Sequence, residues 1–122
     1  ALLFCLSPST AVIESDEVKQ MPGYDGNMPS KQYSGMLQVP NTSPQRFYHY
    51  WLVMSEQSPS TDPVVFWFNG GPGASSLLGY FTEQGPFNLN DQSTQINTTS
   101  VPVPFYNNYT WAKVSNIIFL ES

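Results

Sequence analysis

An apolar run that leads directly into a glycine-rich turn constrains the fold of this chain more than any other feature. Residues 64–68 read VVFWF, and residues 69–73 read NGGPG. A continuous apolar run bounded by turn residues is typical of a strand covered on both faces. Leucine and aromatic residues then recur at helical spacing over residues 73–84, and the Gly-Pro pair at 85–86 ends the pattern. The segment therefore predicts an interior strand, a tight turn and a helix.

Three further segments complete the predicted secondary structure. Residues Gln32–Val39 and Arg46–Met54 are rich in aromatic and aliphatic residues, and the turn composition between them predicts a β-hairpin. Residues Val114–Leu120 predict a second buried strand after a polar, proline-broken excursion from Asn88 to Tyr109. This order of elements predicts an α/β fold, a mixed sheet with a leading β-hairpin.

The two ends of the chain suggest its organisation. The uncharged apolar residues 1–6, with the small residues Ser9 and Ala11 after them, predict the remnant of a secretory signal peptide over residues 1–11. A frayed N-terminal strand is the alternative interpretation of this run, which is too short to span a membrane. A buried strand so close to the last of the 122 residues predicts that residues 12–122 are the N-terminal part of a larger, here incomplete, domain.

The charge balance excludes one large class of partner. Nine acidic residues stand against four basic residues, and the formal net charge is −5. Since no cluster of Lys or Arg could neutralise a row of phosphates, no nucleic-acid partner is expected. No segment of the sequence is long and apolar enough to predict a membrane span, so no membrane partner is expected either.

Three acceptor triplets for N-linked glycosylation lie in polar or turn-rich sequence, at Asn41, Asn97 and Asn108. Together with the signal-like start, they predict passage through the secretory pathway. The single cysteine, Cys5, lies inside the signal-like segment. It therefore gives no information on the redox state of the compartment.

The glycine-rich turn suggests a site that binds an oxyanion. Acyl-transfer enzymes need N–H donors aimed at the oxygen on which negative charge develops, and in α/β-hydrolases one donor comes from the loop between the third strand and the first helix. Residues 69–73 have this position, and glycine lets a substrate approach the main chain closely. A purely structural turn is the alternative. A phosphate loop is excluded, because no Lys-Ser/Thr pair and no GxGxxG spacing is present.

Three side chains that could act as a nucleophile or a base are expected to be structural. Ser75 and Ser76 lie at the predicted start of the helix, where serine is most often an N-cap, so both are expected to cap or to pack rather than to catalyse. His49 shares one face of the second hairpin strand with Trp51 and Val53. With no serine or carboxylate placed locally to make it a base, His49 is expected to pack or to form a hydrogen bond within the sheet.

Several blocks of the sequence, taken in order, resemble the serine carboxypeptidase family. The block FWFNGGPGASSLLGYFTEQGPF at residues 66–87 resembles the family pattern WLNGGPGCSS…E.GPF. Shorter blocks resemble the family segments QYSGYL, HYWFVES, YSWN and NVLFLES, and they lie at residues 32–35, 49–53, 109–111 and 116–122. The resemblance covers roughly residues 17–122 and extends to the cathepsin A-like type of carboxypeptidase.

The resemblance implies an α/β-hydrolase fold and a serine-type carboxypeptidase without a metal or an organic cofactor. It implies that the backbone N–H of Gly71 belongs to the oxyanion hole. It also implies that Asn69 and Gly70 bind the free α-carboxylate of a peptide, that Trp67 walls this subsite and that Glu83 belongs to its hydrogen-bond network. Because two like charges in contact favour protonation of one of them, better peptide binding is expected in acid.

The resemblance has two gaps. The catalytic Ser, Asp and His of the family pattern lie beyond Ser122, so none is assigned and the chain alone is expected to be inactive. Ala74 stands where the family usually has a cysteine, and a disulfide that would constrain the loop is missing.

The resemblance also leaves alternatives open. An acyltransferase would keep the same fold, and Ala74 favours a non-catalytic, carboxypeptidase-like binding protein. The implied partners are peptides with a free C-terminal carboxylate, and the resemblance allows a homodimer of the full-length protein. The implied location is lysosomal or secreted.

Overall fold

A four-stranded mixed sheet organises the protein. The computed structural model describes residues 14–95 and 101–121. The strands of the main sheet, in spatial order, are β1 (Gln32–Val39), β2 (Arg46–Val53), β6 (Asn116–Glu121) and β3 (Val64–Trp67). β1 and β2 form the predicted antiparallel hairpin, while β6 pairs antiparallel with β2 and parallel with β3. The predicted mixed sheet with a leading hairpin is therefore confirmed.

A helix and a small second sheet lie between β3 and β6 along the chain. The helix α1 spans Leu77–Thr82, and β4 (Phe87–Asn88) pairs antiparallel with β5 (Phe105–Tyr106). Short 3₁₀ helices are found at Glu14–Asp16, Asp91–Thr94 and Trp111–Lys113. The stretch that the sequence predicted only as a polar excursion thus contains its own secondary structure.

Helix α1 is shorter than its apolar spacing predicts. The predicted helix covered residues 73–84, but only the six residues from Leu77 to Thr82 are helical. Gly73 has a φ of +82°, which lies outside the right-handed helical region. At the other end, Glu83 leaves the helix with a φ of −129°. The glycine-rich turn therefore diverts the backbone before the helical pattern of side chains can begin.

The hydrophobic core lies between one face of the main sheet and α1. Its fully buried apolar side chains include those of Val53, Tyr80, Phe87, Ile117 and Phe119. The ring of Tyr80 has a central position, with centroids 5.0 Å from the ring of Trp51 and 5.3 Å from that of Phe119. Burial raises the pKa of the Tyr80 phenol above its ordinary value, so this side chain stays neutral in the core.

β3 is an edge strand in the described sheet, and one of its apolar faces is open. Val65 and Trp67 pack against the core. Val64, Phe66 and Phe68, in contrast, are 56%, 60% and 58% exposed. The prediction of an interior strand covered on both faces is therefore wrong for the described residues. The apolar run was correctly identified as a strand, but in this part of the chain β6 is its one strand partner and only the face with Val65 and Trp67 packs against the core.

Candidate active site

The glycine turn, residues 69–73, lies where β3 ends and beside the end of the parallel strand β6. Open α/β sheets bind ligands outside the carboxyl ends of such strands. Residues 70–73 of the turn are exposed, and a Cβ atom at Gly70 or Gly73 would meet no atom within 4 Å. The turn therefore presents its main chain to solvent, as a loop that receives a substrate must.

The side chains of Trp67 and Asn69 form one hydrogen-bonded unit. Trp67 Nε1–H donates to Asn69 Oδ1 over 2.6 Å. Because an indole nitrogen can only donate, this contact fixes which end of the carboxamide faces Trp67. Asn69 Nδ2 has no hydrogen-bond partner among residues 14–95 and 101–121, and neither do the N–H groups of Gly70 and Gly71. Three unpaired donors therefore follow one another in the glycine turn.

Trp67 is held by neighbours that the sequence reasoning missed. Its ring meets the ring of Trp111 edge-on, with the centroids 6.0 Å apart. Helix α1 approaches it through Gly79, where a Cβ atom would lie 2.4 Å from Trp67 Nε1 and 2.8 Å from Gln84 Nε2. The Gln84 side chain is buried, and in the described part of the chain its Nε2 has no partner. A glycine inside a helical pattern was the one available signal of this close packing.

Ser76 joins the glycine turn to the end of β6. Its Oγ donates to the main-chain oxygen of Leu120 over 2.6 Å and accepts from the N–H of Asn69 over 3.2 Å. Ser76 occupies the N-cap position of α1, but its side chain forms no capping hydrogen bond. Of the two structural roles expected for Ser76, capping and packing, capping is therefore not found, because the hydroxyl is committed to the strand and the turn.

Ser75 makes a second connection between the same segments. Its Oγ donates to Glu121 Oε1 over 2.8 Å and accepts from the N–H of Leu77 over 3.2 Å. Glu121 Oε1 also accepts from that N–H over 3.0 Å. The first N–H of helix α1 is therefore satisfied by Ser75, as predicted, and by a carboxylate from β6 that the sequence did not indicate.

Glu83 lies at the other end of α1 from the glycine turn. Its side chain is exposed, and its main-chain oxygen accepts from Asn107 Nδ2 over 2.8 Å. Within residues 14–95 and 101–121, its carboxylate forms no hydrogen bond and no ion pair. The Trp67 indole is instead next to Gln84, the neighbour of Glu83 in sequence. A place for Glu83 in a substrate-binding network thus remains a prediction.

His49 forms the hydrogen bond expected of a structural histidine. Its Nε2 lies 2.8 Å from Ser34 Oγ. The premise that no serine lies close to it is wrong, because the pairing of β1 with β2 brings Ser34 next to it. Glu121 is the partner of His49 in β6, but its Oε1 contacts Ser75 and Leu77. Among the described residues no carboxylate is hydrogen-bonded to His49, so the third group of a catalytic triad is absent there.

The described acceptor asparagines for glycosylation are accessible. Asn41 and Asn108 are exposed, and Asn41 lies in a turn with a φ of 59°. Thr110, the hydroxyl residue of the Asn108 triplet, is buried and donates to the main-chain oxygen of Gln84 over 3.0 Å. Asn97 and the predicted signal remnant lie outside the described residues.

Neither a metal cluster nor a membrane helix is found in the described part of the chain. There, no group of three or more His, Cys, Asp or Glu side chains is placed to hold a metal ion. No helix within residues 14–95 and 101–121 has the length and apolar character that crossing a membrane requires. The α-helix described above has six residues.

The part of the chain that contains the mixed sheet and the glycine turn matches a known protein family. A family model described as serine carboxypeptidase matches residues 22–122. The chain belongs to the serine carboxypeptidase family. The resemblance found in the sequence blocks is therefore confirmed.

Relatives of the chain carry the same family name. Serine carboxypeptidase-like 20 of Arabidopsis thaliana is 41% identical over 100% of this chain and 23% of its own length. Serine carboxypeptidase 1 of Hordeum vulgare is 42% identical over 92% of this chain and 22% of its own length. The lysosomal protective protein of Mus musculus is 37% identical over 99% of this chain and 23% of its own length. The chain thus spans less than a quarter of each of these relatives.

A solved structure supports the fold assigned to this chain. The crystal structure of a prohormone-processing carboxypeptidase from Saccharomyces cerevisiae matches with a TM-score of 0.59 and 23% sequence identity. The match covers 76% of this chain and 19% of that one. At this identity the likeness concerns the fold alone. The prediction of an α/β-hydrolase fold, of which this chain forms a part, is confirmed.

Proposed function

We propose that a protein carrying this chain, together with the further length that its relatives have, is a serine-type carboxypeptidase that removes C-terminal residues from peptides in acid. The observation that carries the proposal is the 2.6 Å hydrogen bond from Trp67 to Asn69 Oδ1. It leaves Asn69 Nδ2 free to donate to a substrate carboxylate, and a hydrogen bond to a charged group is worth about 1.5–3 kcal/mol. Membership of the serine carboxypeptidase family supports the class of reaction.

In this proposal the glycine turn receives two groups of the substrate. The N–H of Gly71 donates to the oxygen of the scissile carbonyl as it becomes negative. Asn69 and Gly70 bind the terminal carboxylate, while Trp67 walls the subsite and orients Asn69. The nucleophile and its base come from outside this chain, so the 122 residues alone turn over no peptide. The reaction uses no metal and no organic cofactor.

A pair of substrates tests the proposal in the full-length protein. A blocked dipeptide with a free C-terminal carboxylate is hydrolysed, whereas the same dipeptide with a C-terminal amide reacts poorly. Asn69→Ala lowers kcat/KM for the free acid by about 10- to 100-fold, which corresponds to one lost hydrogen bond to a charged group. The amide substrate changes by about twofold or less, because it lacks the charge that Asn69 binds.

The matched control is Asn27→Ala, which changes an exposed asparagine outside the turn. This control leaves the kcat/KM of both substrates unchanged. Wild-type protein that hydrolyses both dipeptides equally, or that keeps its activity after treatment with a serine-directed phosphonate, would contradict the proposal.

The acid preference depends on Glu83 in this proposal. A carboxylate beside the substrate carboxylate binds well only when one of the two carries a proton, so KM for the free acid rises between about pH 5 and pH 8. Glu83→Gln keeps a hydrogen-bonding group without the charge and flattens this profile. A wild-type KM that stays constant over this range would remove Glu83 from the site.

Ala74 favours the non-catalytic alternative, since an exposed alanine replaces the usual cysteine of the family pattern. A binding protein would retain free-acid peptides without releasing amino acids and would not react with the phosphonate. An acyltransferase would react with the phosphonate but would transfer the acyl group to an added alcohol or amine in preference to water. The same preparations therefore distinguish the three functions.

We further propose that the full-length protein is lysosomal or secreted, is glycosylated at Asn41, Asn97 and Asn108, and forms a homodimer. Release of glycans by an N-glycosidase converts each modified asparagine to aspartate, and peptide mass spectrometry detects this change. Unmodified asparagine at all three positions in protein from the native source would contradict the proposed glycosylation. Sedimentation of the full-length protein measures its mass and so distinguishes a monomer from the proposed homodimer.

A further inference from the structure

Polar links to β6, and not packing, hold the glycine turn. Residues 70–74 are exposed, and a Cβ at Gly70 or Gly73 would meet no atom within 4 Å. No apolar side chain of the turn reaches the core cluster of the described residues. The position of the turn therefore depends on the hydrogen bonds at its two ends.

One of these links is the Ser76 bridge, defined as the hydroxyl of Ser76 with its partners Asn69 and Leu120. The hydroxyl donates its proton to Leu120 O over 2.6 Å and accepts from Asn69 N–H over 3.2 Å. Ser76 itself is 4% exposed, so water does not compete strongly for these partners. The bridge fixes the main chain of the residue whose side chain is fixed by Trp67.

The second link adds a constraint on rotation of the turn. Ser75 Oγ and the N–H of Leu77 both donate to Glu121 Oε1, over 2.8 Å and 3.0 Å. Glu121 follows Leu120 directly, so both links end on the last two residues of β6. Two adjacent attachment points on one strand hold a segment against both displacement and rotation.

We propose that Ser76 is a positioning residue, assisted by Ser75 and Glu121, that holds the glycine turn in the geometry that selects a free C-terminal carboxylate. The inference rests on the proposed function of Asn69 and Gly70. Ser76 touches neither the substrate nor the reacting atoms. Its hydroxyl ties the Asn69 main chain to the end of β6, and so it holds in place Asn69 Nδ2 and the neighbouring N–H of Gly70, the donors proposed for the carboxylate.

The test measures selectivity and not activity alone. In the full-length protein, the ratio of kcat/KM for the free-acid dipeptide to that for its C-terminal amide falls roughly tenfold in Ser76→Ala, because small displacements of aligned groups reduce their effect strongly. Titration with a serine-directed phosphonate counts the active sites in each preparation. A merely structural role would lower the number of active sites and leave the ratio unchanged.

Two further variants serve as rescue and as control. Ser76→Thr retains the hydroxyl and restores the ratio to within about threefold of the wild type. Thr82→Ala removes a hydroxyl that bonds to the main-chain oxygen of Leu78 on the exposed side of α1, with no link to β6. It leaves the ratio unchanged.

A variant that does not fold does not end the test. If Ser76→Ala gives no titratable sites, Ser75→Ala cuts the second link at a half-buried position and lowers the ratio roughly threefold. An unchanged ratio in whichever serine variant is titratable overturns the inference while leaving the proposed function intact. A wild-type enzyme without preference for the free acid overturns both.

Discussion

The two ends of helix α1 are built in opposite ways. At its N-terminal end, the glycine turn is exposed and its N–H groups at Gly70 and Gly71 are unpaired among the described residues. At its C-terminal end, the anchor segment, defined as Gln84–Phe87, is buried throughout. Its main-chain oxygens accept from Trp111 N–H, Thr110 Oγ1 and Asn107 Nδ2 over 2.9–3.0 Å. Helix α1 is thus anchored at its C-terminal end, while its N-terminal end follows a turn that is exposed to solvent.

The difference shows how a flexible residue type can serve a site that needs fixed geometry. A turn built from glycine is open to substrate but contributes little packing of its own. The anchor segment and the aromatic contacts of Tyr80 fix the helix against the sheet, and the side chains of Ser75, Ser76 and Glu121 then fix the turn. Functional groups are held most accurately when rigid elements support them in this way.

The largest effect is expected from a methyl group in the anchor segment. A Cβ atom at Gly85 would lie 2.0 Å from the main-chain oxygen of Tyr80 and 2.7 Å from its carbonyl carbon. Main-chain atoms cannot relieve such a clash by rotation about a side-chain bond. Gly85→Ala therefore lowers the free energy of unfolding by about 3 kcal/mol or more. Urea unfolding of the full-length protein measures the change. Equal effects of Gly85→Ala and Gly70→Ala would remove the distinction between the two ends.

Removal of the polar support of the anchor segment has the next largest effect. Asn107 is 4% exposed, and its Nδ2 donates to the main-chain oxygens of Glu83 and Gly85 over 2.8 Å and 2.9 Å. Asn107→Ala leaves two oxygens without these donors and lowers the free energy of unfolding by about 2–3 kcal/mol. Asn27→Ala, at an exposed position, changes it by less than about 0.5 kcal/mol. A similar change in both variants would contradict the anchoring role of Asn107.

The smallest effects are expected in the glycine turn, where space is open. Gly73 has a φ of +82°, so Gly73→Ala introduces backbone strain of about 1–2 kcal/mol although its Cβ meets no atom within 4 Å. Gly70→Ala has the same open space without a positive φ, and it changes the free energy of unfolding by less than about 0.5 kcal/mol. Gly73→Asn recovers part of the loss, because asparagine tolerates this conformation. Equal effects of both alanine variants would show that φ at Gly73 is not a constraint.

The sequence predicted those parts of the fold that local patterns encode. The hairpin of β1 and β2 and the strand β6 were found because alternation and apolar runs extend over neighbouring residues. The length of α1 was wrong, since side-chain spacing does not register the positive φ at Gly73. The covering of β3 was also wrong for residues 14–95 and 101–121, because whether a strand has neighbours on both faces depends on distant parts of the chain.

The contacts of the candidate site could be predicted where both residues lie in one contiguous sequence block. They could not be predicted where the two residues come from distant segments. Trp67 and Asn69 lie two residues apart, and their hydrogen bond joins members of the recognised block. The bonds of Ser75 and Ser76 to β6 connect residues 46 and 44 positions apart in the sequence. No spacing rule indicates such pairs, since strand order in the sheet creates them. Both serines were expected to cap or to pack. Ser75 accepts from the first N–H of α1, whereas Ser76 is buried and bonds to β6 and the turn.

The position of β6 between β2 and β3 sets the order in which the protein can fold. β1 and β2 are joined by a short turn and can pair within microseconds. β3 gains its partner only after residues 68–115 have been made, which takes roughly 2–10 s at usual rates of synthesis. During this interval the apolar edge of β3 is open to pairing with other chains. Pairing with β6 therefore removes one of the two open edges of β3, and it does so only when the last described strand has been made.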